Sequence, residues 1–215
     1  MPKYGGSLRR AIEDNQQREC KVKGCFNHRW RVSGYCLRHS KANQNWGHPL
    51  GADVPNQILT TGFDQLEKVI QANPNHKGLA LGVAFFDKWI ATACATAMMS
   101  PPMVPAVRHM TRLYDANVHP IDCIKVVASV WLLSSRGSRF IKSDLHCRCI
   151  MGQKLFSLAP MRKGEHGKRG KERKAAGLYI QENIGVLLVS LADAVERLEQ
   201  REQERIKAMG SKFEI

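Results

Sequence analysis

Acidic residues are scarce in this chain: 19 Asp and Glu stand against 33 Lys and Arg among its 215 residues. Paired carboxylates of the kind that hold two metal ions in nucleases do not stand out among so few acids. The sequence also lacks the motifs of phosphate-binding loops (GxxxxGK followed by Ser or Thr), nucleophile elbows (GxSxG) and helical metalloproteases (HExxH). We therefore expect a protein that binds rather than catalyses, and predict that it is not an enzyme.

Runs of alternating apolar and polar residues, which are typical of β-strands, are nearly absent. Apolar residues instead recur at roughly helical spacing in six stretches, which begin near Gln57, Gly78, Met103, Pro120, Ser138 and Ala175. Ser138 is the expected N-cap of the fifth stretch, and the last continues to about Met209. We predict an all-α fold: a helical bundle with a small N-terminal zinc-binding module and a long C-terminal helix.

An apolar core of the kind found in secretory signals is missing from the polar first residues, MPKYGGSLRR. The most apolar stretch, residues 78–99, has Asp87 and Lys88 near its middle, where charge is costly in a bilayer. We expect this stretch to be a buried core helix and predict no membrane partner. The seven cysteines, an odd number, then favour a reducing compartment: the cytoplasm, which for a viral protein is the cytoplasm of the host.

Positive charge is concentrated in two short segments. Residues 1–46 carry ten Lys and Arg against three acidic residues, and residues 160–174 carry seven against two, so twelve of the fourteen net charges lie there. We divide the chain into a basic zinc-binding module at 1–46, a linker at 47–56 rich in Gly, Pro and Asn, and a helical domain at 57–215. A flexible basic loop is predicted at 161–174. Such clustering favours a polyanionic partner, nucleic acid foremost.

Three cysteines and a histidine lie within twenty residues of the basic module, with the spacing C-x4-C-x10-C-x2-H. Zinc takes four such ligands in a tetrahedron, and short spacings supply two from each of two turns. Gly24 and Gly34 lie just upstream of the second and third cysteines, where backbone freedom helps the chain to turn. A closed site of this kind is structural and supplies the folding energy of its module. The predicted ligands of Zn²⁺ are Cys20, Cys25, Cys36 and His39.

This stretch resembles the small C-x4-C, GxC-x2-H zinc modules of bacteriophage proteins, which often lie beside HNH-type nuclease domains. The residues that carry the resemblance are Cys20, Gly24, Cys25, Gly34, Cys36 and His39. It implies a zinc-stabilised nucleic-acid module of phage type; an HNH site does not map onto the rest of the chain. In size, charge and helical content the whole chain is also similar to the single-stranded-DNA-binding transcription cofactors of N4-like phages.

The loop between the two ligand pairs combines cations with aromatic residues. Cations neutralise phosphates while aromatic rings stack on bases, a combination suited to single strands. The predicted nucleic-acid contacts in this module are Lys21, Lys23, Arg29, Trp30, Arg31, Arg38 and Lys41. Phe26 and Tyr35 are interpreted instead as a small core over the metal, and for Trp30 the two roles are weighed equally.

Two further groups of residues have alternative interpretations. The basic loop could follow a phosphate backbone or be a solvated linker, and its candidate contacts are Arg162, Lys163, Lys168, Arg169, Lys171, Arg173 and Lys174. His146, Cys147 and Cys149 could form a second metal site with Cys94 or Cys123, but residues 147 and 149 point to opposite sides of a helix, so they are interpreted as core.

A short heptad-like seam marks the C-terminal helix. Its apolar residues step by four, three, four and three, and they are Ile184, Leu188, Leu191, Val195 and Leu198. Such a seam could form a homodimer, although packing against the bundle is the simpler explanation.

The favoured function is non-enzymatic: an accessory protein of viral replication or transcription that binds nucleic acid, with single-stranded DNA as the first choice. One alternative is a nuclease with unrecognised catalytic residues, for which Asp115, Asp144 and His146 are the candidates. The other is an adaptor or inhibitor that binds a phage or host RNA polymerase.

Overall fold

The computed structural model describes residues 5–96, 106–161 and 169–210. Within those ranges the chain forms eight helices and no strand, apart from an isolated bridge between Glu19 and His28. The helices are α1 (Gly5–Gln16), α2 (Leu37–Trp46), α3 (Asn56–Ala72), α4 (Lys77–Thr96), α5 (Val107–Asp115), α6 (Pro120–Ser135), α7 (Asp144–Phe156) and α8 (Arg169–Gly210). The prediction of an all-α protein with a long C-terminal helix is confirmed.

Helix α6 is the centre of the bundle, since it contacts α3, α4, α7 and α8. Pro120 stands in its first turn, where a missing N–H costs nothing, and the side chain of His119 caps it by accepting the Ile121 N–H at 3.2 Å. From Cys123 to Leu132 nearly every side chain except those of Lys125 and Trp131 is buried. A helix that is apolar almost all round belongs in the interior.

Helices α7 and α8 cross at close range through two glycines. Gly177 of α8 lies against the carbonyl group of Arg148, and Gly152 of α7 lies against the backbone of Arg173. A Cβ atom at either glycine would collide with that backbone. The crossing therefore depends on small residues, and it fixes how the side chains of α7 and α8 face one another.

Two helices begin where the sequence analysis did not expect. α7 starts at Asp144, and its N-cap is Ser143 rather than Ser138; the Ser143 hydroxyl accepts the His146 N–H at 3.1 Å. α8 starts at Arg169, so residues 169–174 are helical and not part of a flexible loop. Arg173 and Ala176 are buried, so tertiary packing stabilises the first turns of α8. The local composition of this basic segment does not reveal such packing.

By length and composition, α4 and α8 could each cross a membrane, a test that the core helices of soluble proteins also pass. One face of α4 joins the core through Leu79, Phe86, Trp89, Ile90 and Ala93. Asp87 and Lys88, which interrupt the apolar stretch, are exposed. The helix predicted to be a core helix thus does contribute to the core, although by one face only.

The seam of α8 belongs to the core of a single chain. Ile184, Leu188, Leu191 and Val195 are buried there, and Leu198 packs against them partly buried. This is the packing alternative to a homodimer, and dimerisation through the seam stays a prediction. The helix bends at Ile184, where φ is −127° and ψ is 15°.

The segment predicted to be a linker, residues 47–56, packs on α7. Val54 is 1 % exposed. Lys154 of α7 is buried, and its ammonium group lies 3.1 Å from the Asp53 carboxylate and donates to the side-chain oxygen of Asn56 at 2.9 Å. The Nε2–H of His146 donates to the Ala52 carbonyl at 2.9 Å. The segment therefore connects the N-terminal module to the bundle through specific contacts.

Candidate metal centre and basic surface

The four predicted ligands come together at one point. The ligand atoms of Cys20, Cys25, Cys36 and His39 all lie within 4.8 Å of one another. Nδ1 of His39 is 3.3 Å from Sγ of Cys20 and 3.4 Å from Sγ of Cys36, and the sulfurs of Cys25 and Cys36 are 3.9 Å apart. A disulfide would bring two sulfurs to about 2 Å, so this is a cluster of free thiols. It is a possible metal site, consistent with a zinc module.

The first ligand pair is placed by a turn that requires glycine. Gly24 has φ +78°, a left-handed conformation that side chains disfavour, and the Cys25 N–H closes the turn on the Val22 carbonyl at 3.0 Å. The Cys20 N–H donates to the Asn27 carbonyl at 2.9 Å, so the two arms of the turn are paired. Both sulfurs consequently face the same side.

The second ligand pair stands at the start of α2. Cys36 is the residue before the first turn of the helix, and the Ser40 N–H bonds its carbonyl at 2.8 Å. His39 is three residues further on, and residues three apart in a helical turn share a face. The C-x2-H spacing therefore brings Nδ1 of His39 to 3.4 Å from Sγ of Cys36.

Helix α1 braces the loop between the ligand pairs, which the sequence analysis did not foresee. The side-chain amide of Asn15 donates to the carbonyls of Arg31 and Ser33, at 2.7 and 2.8 Å. The Arg29 guanidinium donates to the Glu19 carbonyl at 2.8 Å and to the Asn15 side chain at 3.3 Å. We call residues 18–41, including this braced loop, the knuckle.

Two of the thiols have shifted pKa values. A hydrogen bond from the Asn27 backbone N–H lowers the pKa of the Cys25 thiol, and the Asn27 side-chain amide lies 3.6 Å from the same sulfur. Burial raises the pKa of the Cys36 thiol. A cation at the centre of the cluster would favour the thiolate at both positions, because a coordinating thiol is deprotonated by its metal.

Most of the predicted nucleic-acid contacts of the knuckle reach the solvent. Five of the cations are exposed, and they are Lys21, Lys23, Arg31, Arg38 and Lys41. Arg29 is half-buried in the hydrogen bonds to Asn15 and Glu19, which gives it a bracing role. Trp30 is 38 % exposed, with the Arg31 guanidinium 5.3 Å from its ring centroid.

Phe26 was interpreted as core, and that interpretation is wrong. Its side chain is 82 % exposed, whereas Tyr35 is half-buried. Cys25 turns inward to the cluster and Asn27 pairs with Cys20, so the side chain between them projects outward. We call the exposed set formed by Phe26, Trp30 and the five cations the aromatic–basic surface.

The candidate contacts of the predicted basic loop fall into two groups. Arg162, Lys163 and Lys168 lie outside the described residues. The other four lie in the first turns of α8, where Arg169 is the first residue, Lys171 is exposed and Lys174 is half-buried. Arg173 is buried, with its guanidinium 4.6 Å from the ring centroid of Trp46, so it attaches α8 to α2 rather than facing solvent.

His146 and its neighbouring cysteines are part of the core. Nδ1 of His146 accepts the Lys142 N–H at 3.1 Å, and Nε2–H donates to a backbone carbonyl, so both ring nitrogens are engaged. Burial raises the pKa values of Cys147 and Cys149 to about 11 and that of Cys123 to about 12. Among the residues that the structure describes, the knuckle is the one cluster that could hold a metal.

Comparison of the chain with protein-family models, curated proteins and solved structures finds no match. The resemblance to phage zinc modules therefore depends on the spacing of the knuckle residues alone.

Proposed function

We propose that the knuckle binds Zn²⁺ and that its aromatic–basic surface binds nucleic acid, with single-stranded DNA preferred. In a tetrahedral site with Zn–S near 2.3 Å and Zn–N near 2.1 Å, neighbouring ligand atoms lie roughly 3.6–3.8 Å apart. The three distances of 3.3, 3.4 and 3.9 Å in the cluster lie close to that range. Three thiolates and an imidazole also suit zinc better than the hard cations Mg²⁺ and Ca²⁺.

The exposure of Phe26 carries this proposal. A phenylalanine that is 82 % exposed contributes nothing to a core, yet backbone hydrogen bonds hold the chain on either side of it, from Cys25 to Val22 and from Cys20 to Asn27, in the same segment as the exposed cations. Trp30 adds a second partly exposed ring next to Arg31. Exposed rings and cations together suit a strand with unpaired bases. Each base has a face that can stack on an aromatic ring, and each nucleotide has a phosphate that a cation can neutralise.

Single strands are favoured over duplexes because the bases of a duplex are already stacked on one another. Stacking of one base on an aromatic side chain is worth about 1–3 kcal/mol, and this gain is available only where a base can leave its neighbours. The five exposed cations of the surface would neutralise phosphates. If all five do so on a single strand, the logarithm of the binding constant should fall with the logarithm of salt concentration with a slope of about −3.5.

The two alternative functions gain no specific support from the geometry. A nuclease site that includes His146 would need a free ring nitrogen, and both nitrogens are bonded to backbone groups. Binding to a phage or host RNA polymerase through the C-terminal seam, and a role in viral replication or transcription, stay predictions.

An electrophoretic shift assay across a salt series tests the proposal. Equal lengths of single-stranded DNA, duplex DNA and RNA are compared on the zinc-loaded wild type and on the double variant Phe26→Ala/Trp30→Ala. The control is Tyr114→Ala, which removes an aromatic ring that is 66 % exposed on α5, outside the knuckle. We expect the double variant to bind single strands at least tenfold more weakly, and the control to bind like the wild type.

Two results would contradict the proposal. One is an absence of binding to any of the three nucleic acids at low salt. The other is equal weakening by the double variant and by Tyr114→Ala, which would show that the knuckle aromatics have no particular role.

A further inference from the structure

A pocket of about 270 Å³ opens between α6, α7 and α8, and none of its lining residues belongs to the knuckle. Trp131 and Ser134 line it from α6, three residues apart, and Asp144, Cys147 and Met151 line it from α7 at spacings of three and four. These spacings place each set on one face of its helix. Because Cys147 and Met151 are buried and the two helices belong to the core, the pocket has an apolar floor and rigid walls.

Trp131 differs from the three other tryptophans of the chain. Trp89 packs against aromatic neighbours, the ring of Trp46 lies under the Arg173 guanidinium, and that of Trp30 lies under the Arg31 guanidinium. Trp131 is half-buried, lines the pocket, and makes no aromatic or cation–π contact with the part of the chain that the structure describes. Its indole is thus available for a flat group that enters the pocket.

The polar groups of the pocket comprise both donors and acceptors. Nε of Arg148 donates to the side-chain oxygen of Gln181 at 2.6 Å, and this fixes the orientation of both groups. The terminal nitrogens of the guanidinium make no hydrogen bond with any described residue, and the amide nitrogen of Gln181 likewise has no protein acceptor in the described ranges. Asp144 is exposed and contributes a carboxylate as an acceptor.

This combination selects against simple ions. A bare phosphate would be attracted by Arg148 but repelled by Asp144, and it would leave the indole and the apolar floor without a partner. A flat organic cation could stack on the indole, but the positive charge of the Arg148 guanidinium would repel it. A nucleobase satisfies every group, since it has π faces for Trp131, acceptors for Arg148 and Gln181, and exocyclic amino groups for Asp144. The volume is just below the range of about 300–1,000 Å³ for drug-sized ligands, and it suits one base.

We propose that this pocket binds a single nucleobase, stacked on Trp131 and hydrogen-bonded through Arg148, Gln181 and Asp144. The base can belong to a free nucleotide or be one that turns out of a bound single strand, because its edge and its π face are the same in both. The inference extends the function proposed for the knuckle but does not depend on it, since the pocket shares no residue with the aromatic–basic surface.

The test is an NMR titration that follows the indole N–H signal of Trp131, which is assigned by its loss in Trp131→Phe. The full-length, zinc-loaded protein is titrated separately with the four nucleoside 5′-monophosphates, with ribose 5-phosphate, and with a short single-stranded oligonucleotide. The oligonucleotide arm is repeated on Phe26→Ala/Trp30→Ala, so that loss of knuckle binding can be told apart from loss of pocket binding.

We expect saturable shifts of this signal with at least one monophosphate, and none with ribose 5-phosphate. Trp131→Leu, checked for native helix content and followed through the backbone amide signals of the pocket residues Cys147 and Gln181, should weaken that binding roughly tenfold or more. Gln181→Leu should weaken it several-fold. Arg148→Gln should act similarly, whereas Arg201→Gln removes the same charge from an exposed position of α8 outside the pocket and should have no effect.

The remaining outcomes are also decisive. A shift with the oligonucleotide but with no monophosphate assigns the pocket to a base of a strand. Equal shifts with ribose 5-phosphate would overturn the proposal, since the base would then play no part. The proposal is likewise overturned if no ligand moves the Trp131 signal, and shifts of the knuckle signals by the oligonucleotide then show separately whether the knuckle binds.

Discussion

The knuckle and the helical bundle use aromatic residues in opposite ways. In the bundle Phe86 and Trp89 are 0 % and 2 % exposed and form the core, whereas in the knuckle Phe26 is 82 % exposed. The difference follows from what holds each region together. The bundle is stabilised by the burial of apolar surface, and large apolar side chains such as Phe86 and Trp89 supply much of that surface. A region held by four metal ligands, as we propose for the knuckle, is free of that need, so its aromatic residues can be exposed.

Removal of the metal should have the largest effect on stability, and it should unfold the knuckle while the bundle stays folded. Structural zinc sites contribute roughly 10–16 kcal/mol of apparent binding free energy, and the knuckle has no core to replace it. We expect chelation or Cys36→Ser to abolish hydrogen-exchange protection of the Lys21 and Trp30 amides, which are bonded across the knuckle. Amides in the middle of α6 should keep their protection.

The control for this experiment is Cys94→Ser, which alters a half-buried thiol outside the knuckle and should leave one zinc ion bound per chain. Loss of protection in α6 together with the knuckle would show that the two regions fold as one unit and are not held together independently.

The second largest effect is expected from a core aromatic residue. Phe86→Ala should lower the free energy of unfolding of the bundle by about 3–5 kcal/mol, because it leaves a cavity at a fully buried position. Denaturant unfolding followed by circular dichroism measures this change, and zinc content per folded chain should not alter. A loss below 1 kcal/mol would mean that Phe86 is not packed as the structure has it.

Phe26→Ala provides the matched opposite case. An exposed side chain away from any core contributes little to stability, so the free energy of unfolding should change by less than about 0.5 kcal/mol. Binding of single-stranded DNA should nonetheless weaken by about 1–3 kcal/mol, measured by fluorescence anisotropy of a labelled oligonucleotide. If stability falls and affinity does not, Phe26 has a structural role after all.

The smallest expected effect is a pH dependence of stability from His146, whose side chain bonds the segment after the knuckle to α7. Burial lowers the pKa of this imidazole below its ordinary value near 6.5, so the unfolded chain binds a proton more readily than the folded one. The bundle should therefore lose stability as the pH falls below about 6.5, with a slope of at most about 1.4 kcal/mol per pH unit from this group.

This dependence is best measured on Cys36→Ser, in which loss of metal at acid pH cannot contribute. Urea unfolding at several pH values gives the slope, and an NMR titration of the His146 ring gives its pKa directly. A pKa at or above 6.5 would refute the explanation.

Much of the candidate site could be predicted because metal coordination is local. The four ligands lie within twenty residues, and a glycine at φ +78° and a helix start are enough to bring them together. The outward position of Phe26 was missed, since an aromatic residue beside a ligand is compatible with either side of the turn. The hydrogen bonds from the Asn15 side chain to the Arg31 and Ser33 carbonyls were missed as well, because the sequence of α1 does not indicate which carbonyls that side chain contacts.

By itself, the sequence determined the helical class, the four Cys and His residues that could hold a metal, and the concentration of positive charge around them, all of which depend on residues close together in the chain. Only the tertiary structure decided that α8 begins at Arg169, that the seam of α8 lies in the core, and that Trp131, Arg148 and Gln181 line one pocket. The physical reason is that these features depend on how helices distant in sequence cross. That crossing is set at Gly152 and Gly177 by the close approach of two backbones, which no local pattern encodes.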